Sequence, residues 1–148
     1  MPETPEKWLR TMTGASVMIA TAGDETDGLA AVIRFCEPPN SHKPVFTRHE
    51  FIEVFCVTEG RLEFQFLDEE PMTLQAGQSV TCTSWKPHAF WNESNESVFV
   101  TLICTPAGLD DFFIASDQLL ANTNDMSNTA LQEAMKALRN RFGLEHVA

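Results

Sequence analysis

The run HEFIEVFCVTE (49–59) constrains the fold more than any other stretch of this chain. Side chains of a β-strand alternate faces, which places Phe51, Phe55 and Val57 on one side and Ile52, Val54 and Cys56 on the other. Both sides are apolar. Such a strand belongs inside a sandwich, in a closed barrel or at a subunit interface. Further strands are expected at 15–20, 29–37, 61–67, 72–75, 79–83, 88–93 and 98–105, because β-rich runs there are separated by Gly, Pro, Asn and Asp clusters such as AGDETDG and EPPNSHKP. Helical periodicity appears only afterwards, in GLDDFFIASDQLL and then SNTALQEAMKALRNRFG. In the second of these Leu131, Met135, Leu138 and Phe142 recur at helical spacing, with Ser127 or Asn128 as cap and Gly143 as stop. The reading is an all-β barrel over about 15–105 with a short helical C-terminal tail over about 108–143, in one domain spanning 1–148.

At 148 residues the chain is one domain's worth of core. Ten Lys and Arg against 21 Asp and Glu give a formal charge of -11, which repels nucleic-acid phosphates and anionic lipid heads, so neither is an expected partner. No stretch approaches the roughly 20 apolar residues of a membrane span. The start, MPETPEKWLRTMTG, lacks a basic segment followed by an apolar one, and a cytoplasmic location is expected. Cys36, Cys56, Cys82 and Cys104 are widely spaced without a CxxC pair and read as reduced thiols.

Thr47, His49, Phe51 and Glu53 fall on one face of an extended strand. A straight strand at ~3.3 Å per residue would hold His49 and Glu53 about 13 Å apart, so curvature has to bring them together if both are to reach one ion. The run GQSVTCTSWKPHAFWN adds His88 and Asn92, again at even spacing.

TRHEFIEVFCVTEG resembles the first motif of the cupins, HxH followed by three or four residues, Glu, six residues and Gly. His49 fits the second histidine, Glu53 the glutamate and Gly60 the glycine, while Thr47 stands where the first histidine belongs. GQSVTCTSWKPHAFWN resembles the second motif, with Gly77, His88 and Asn92 in register and Thr83 and Trp85 in place of the usual Pro and Gly. TPAGLDDFF (105–113) and RFGLEHV (141–147) are similar to the tail of single-domain cupins related to quercetin dioxygenases. The resemblance implies a small double-stranded β-helix, or jelly-roll, barrel in which the two motifs meet at one metal, bringing His49, Glu53 and His88 together. It also implies a homodimer, with which the outward Ile52, Val54 and Cys56 are consistent.

Two imidazoles and a carboxylate form the facial triad associated with non-haem Fe(II). Zinc can use the same three with a water, and Thr47 offers a hydroxyl to such a water. Without metal, Glu53 in an aromatic-lined interior is expected to have a raised pKa, with His49 or His88 exchanging protons near neutrality, which makes an acid-base pocket. The expected function is therefore a metal-dependent dioxygenase, Fe(II) favoured, acting on an aromatic or polyketide-like small molecule. The alternatives are a non-redox cyclase, isomerase or dehydratase with zinc or no metal, and a non-catalytic barrel that binds a small ligand. In all of them His49, Glu53 and His88 are the working residues, and Thr47, Phe51, Phe55 and Phe90 are expected to line the substrate pocket. Glu53 is alternatively a buried partner of Arg48 or Arg34. His42, in a loop, is a substitute ligand at best; His146 reads as a solvent-facing tail residue, and Asn92 and Gly60 as structural.

Overall fold

The computed structural model describes residues 7–147. In chain order the elements are β1 (Leu9–Arg10), β2 (Ser16–Thr21), β3 (Ala31–Glu37), β4 (Phe46–Arg48), β5 (Ile52–Glu59), β6 (Arg61–Phe66), β7 (Met72–Gln75), β8 (Ser79–Cys82), β9 (His88–Trp91), β10 (Val98–Thr105), α1 (Leu109–Ala121), α2 (Asn128–Arg141) and β11 (Glu145–Val147). The strands form two antiparallel sheets, ordered β1-β2-β3-β10-β5-β8 and β11-β4-β9-β6-β7. The expected barrel with a helical tail is what the chain builds.

Alternation along β10 shows how the core is made. Val98, Val100, Leu102 and Cys104 are buried, and the residues between them are half-buried on the outer face. β10 lies between β3 and β5, with Leu102 opposite both Ile33 and Phe55. From the facing sheet Leu62, Phe64 and Phe66 join the same core, and the rings of Phe55 and Phe64 meet edge to face at 5.1 Å. Each of these large side chains stabilises the fold by about 1.5–3 kcal/mol through burial. On the outer face of β5, Ile52 is exposed and Val54 and Cys56 are half-buried. All four cysteines are free.

The turn from β5 to β6 requires Gly60, whose φ is +84° and whose place a Cβ would fill at 3.0 Å from the Ser97 carbonyl oxygen. α1 sends Leu109 and Phe113 into the barrel core. Its buried Asp110 accepts hydrogen bonds from the backbone N–H groups of Gly23 and Gly108, and its Asp117 accepts from the backbone and side chain of Arg10. α2 is capped by Ser127, whose hydroxyl accepts from the Ala130 N–H, and packs on α1 through the buried Met135.

Three departures from the sequence reading matter. The run 49–59 is not one strand: it breaks at 49–51, between β4 and β5. The two-residue β1 is an addition at the sheet edge. The tail around His146 is itself a strand, β11, paired with β4. At two to three residues, β1, β4 and β11 are too short for periodicity to reveal.

Candidate metal centre

The break in the expected strand builds the site. β4 belongs to the five-stranded sheet and β5 to the six-stranded one, so residues 49–51 carry the chain from one sheet to the other. The bend is held by backbone groups: the Trp85 N–H donates to the His49 carbonyl at 2.7 Å, and the Ser84 hydroxyl donates to the Glu50 carbonyl. Across the bend His49 Nε2 lies 3.1 Å from Glu53 Oε1. His88, at the start of β9, brings its own Nε2 to 3.5 Å from the same oxygen. The three side chains are almost wholly buried, and their ligand atoms lie within 4.8 Å of one another.

The outer ring nitrogens decide what the inner ones can do. His49 Nδ1 is 2.8 Å from the Phe51 carbonyl oxygen, and His88 Nδ1 is 3.0 Å from that of Lys86 and 2.9 Å from Cys82 Sγ. A carbonyl oxygen only accepts, so both Nδ1 atoms carry hydrogen, and each neutral imidazole presents its Nε2 lone pair to Glu53. Three electron-rich atoms thus converge out of contact with water, an arrangement that repels until a proton or a cation stands among them. Backbone carbonyls that fix the tautomer in this way are the usual outer shell of metal-binding histidines. Two imidazole nitrogens and one carboxylate oxygen suit a divalent transition metal.

The electrostatics point the same way. The raised pKa expected for Glu53 is not what the site produces: burial alone pushes the carboxyl up, but hydrogen bonds from His49 and His88 and their charges outweigh it and hold the group below its ordinary value. Burial likewise pushes His88 down, and the hydrogen bonds to Cys82 and Glu53 together with their charges reverse this and raise it to about 10. In the metal-free protein the charge of Glu53 is therefore balanced by a proton on His88.

Phe51 stacks flat on His49, with ring centroids 3.7 Å apart. Phe55, expected in the pocket, is completely enclosed and touches Phe64, Phe90 and His88 as core. Phe90 is half-buried between Phe35 and Phe55. Thr47 pairs directly with His88 across β4 and β9 and so shares its face, and His146 pairs with Thr47 from the other side. His146 is exposed, as is His42, and neither joins the triad. Arg48 pairs with Glu145 rather than Glu53. Asn92 is structural as expected, fully buried and bonded to loop backbone.

Two of the cysteines read as reduced thiols also stand beside the triad, which the sequence reading did not foresee. Cys82 accepts from the His88 ring, and Cys104 pairs with Glu53 across β10 and β5, its thiol pushed up to about 11 by burial and by the Glu53 charge. Cys82 closes β8 and His88 opens β9 in the other sheet, so spacing along the chain carries no signal of their contact.

Residues 33–104, which contain every motif position from Thr47 to Asn92, match the cupin domain family. The chain has a cupin fold. A cupin 2 conserved barrel domain protein from Salinispora arenicola superposes with a TM-score of 0.59 at 17% identity, covering 78% of this chain and 97% of that one. The Cupin_2 domain of an XRE family transcriptional regulator from Enterobacter cloacae does so with a TM-score of 0.52 at 26% identity, covering 62% and 95%. The polyketide cyclase RemF from Streptomyces resistomycificus gives 0.60 at 13% identity, covering 71% and 79%. No curated protein matches the sequence. Among the described residues no helix is long and apolar enough to cross a membrane. The barrel serves enzymes and a regulator alike, so function has to be argued from the site.

Proposed function

We propose that this cupin is a metal-dependent enzyme of small-molecule chemistry, a non-haem Fe(II) dioxygenase acting on an aromatic or polyketide-like substrate, with His49, Glu53 and His88 as the metal ligands. The observation that carries this reading is the convergence of both Nε2 atoms on Glu53 Oε1 while both Nδ1 atoms are committed to backbone carbonyls. When bound there, a divalent metal supplies Lewis acidity and, as Fe(II), access to oxygen chemistry, with positions left over for substrate. The chain's own part is to hold the imidazoles in one tautomer, to exclude water and to keep Glu53 ionised. Thr47 and Phe51, beside His88 and His49, are the side chains placed to meet a substrate.

The test is metal analysis after anaerobic loading with Fe(II), followed by oxygen uptake with a panel of flavonols and hydroxylated aromatics. One iron per chain and uptake that a chelator abolishes are the expected results. Absence of any stoichiometric transition metal, with turnover indifferent to chelator, overturns the reading.

A non-redox cyclase, isomerase or dehydratase is the second reading, favoured by the proton that His88 holds against Glu53. Product formation under strict anaerobiosis selects it. Both readings include a homodimer through the outer face of the six-stranded sheet, where the exposed Ile52 and half-buried Val54 and Cys56 lie, and light scattering of the purified chain checks it.

A further inference from the structure

Strand β10 pairs Val98 with Glu37 near its start and Cys104 with Glu53 near its end. Six residues of strand, about 20 Å, separate these two glutamates, so Glu37 lies at the end of the barrel away from the metal centre. There the loop after β3 leaves a cavity of about 450 Å³, within the size range of small-molecule pockets. Its walls include the rings of Phe35 and Phe90, set edge to face at 5.3 Å, with Thr13, Ser41 and His42 around them. Phe55 lies against both Phe90 and His88, and none of the triad residues lines the cavity.

Glu37 is the one carboxyl in this wall, and it is 6% exposed. Among the described residues no basic side chain forms an ion pair with it, and the nearby Ser41 hydroxyl is the one group that favours its charged form. Burial pushes it up to about 7. A carboxylate buried without a countercharge takes up either a proton or a cation. Aromatic faces beside it favour the cation, and the charge of -11 on the whole chain raises the local concentration of cations.

We propose that this cavity is a second ligand site that takes a small organic cation, an ammonium compound with an apolar body, with Glu37 as counter-ion and Phe35 and Phe90 as walls. It stands apart from the metal centre and does not depend on the function proposed for it. Titration calorimetry at pH 8 with a chelator present, so that the metal centre takes no part, compares benzylammonium with its neutral isostere benzyl alcohol. Benzylammonium should bind the wild-type protein at least tenfold more tightly. Glu37→Gln should remove that preference while leaving the alcohol's affinity within threefold. Phe90→Leu, which keeps the carboxylate, should cost benzylammonium at least threefold and keeps the test open if Glu37→Gln does not fold. Equal affinity for the two probes on the wild-type protein, or a preference that survives Glu37→Gln, overturns the assignment.

Discussion

Glu53 Oε1 stands 3.1 Å from His49 Nε2 because the chain changes sheet between the two residues. The carboxylate is the only negative group within the triad, and its loss leaves two imidazoles facing an amide. Glu53→Gln, close in shape, should lower transition-metal affinity by about 100-fold or more, judged against the 10- to 100-fold cost of disturbing outer-shell partners alone. Competition with a chromophoric chelator measures it, and affinity held within threefold of wild type would show that the triad is not the metal site.

Thr47 faces the triad from the strand next to His88. Directly opposed residues have Cβ atoms about 4.5–5.5 Å apart, which is within reach of a shared ion for an imidazole. Thr47→His should therefore tighten metal binding by about tenfold, the low end of what a partner to a metal site is worth. The same competition assay would refute this if affinity is unchanged or weaker.

The metal-free protein should grow less stable as pH rises. His88 has a folded pKa of about 10, above its ordinary 6.5, so its contribution is complete below pH 6.5 and disappears as pH passes through 10. Glu37, raised from 4.5 to about 7, adds a loss of the same sign between those values. Glu53, held low, contributes above its ordinary 4.5 and fails only in acid. Thermal melts in chelator should show Tm falling by about 5 °C or more between pH 7 and 10, at 2–4 °C per kcal/mol. A flat or rising Tm over that range would contradict the proton placed on His88. Added metal displaces that proton, so the rise in Tm on loading should increase with pH.

Asn92 is fully buried and has no part in the chemistry. Its Nδ2 donates to the carbonyls of Pro38 and Glu96 at 3.1 and 2.7 Å, and its Oδ1 accepts from the Ser94 N–H and hydroxyl at 3.0 and 2.7 Å. Asn92→Ala strands those partners and should cost about 2–4 kcal/mol by urea denaturation, with metal affinity unchanged in the folded fraction. A cost below about 1 kcal/mol would mean that water replaces the side chain.

The two motifs made His49, Glu53 and His88 legible in the chain, because the even spacings and the glycine at position 60 stand at fixed intervals. Their meeting point was not. Alternation through 49–59 reads as an unbroken strand, and nothing local marks the bend, which depends on Trp85 and Ser84 arriving from another part of the chain. Phe55 shows the converse: its place on the His49 face was readable, but only the surrounding Phe64 and Phe90 decide that it fills core. Glu37 is the last residue of the strand expected at 29–37, and nothing in that run marks it as buried; its burial comes from the loop that folds over it.

Glu53 comes from the six-stranded sheet and His88 from the five-stranded one, with His49 on the segment that joins them. The contact that gathers the ligands is thus also a rivet between the two walls of the barrel. Prising those walls apart at this end means breaking it, so the end that holds the triad is stiff. The end that holds Glu37 is fastened by neutral hydrogen bonds instead, from Asn92 just past β9 to the carbonyls of Glu37 and Pro38 at the end of β3.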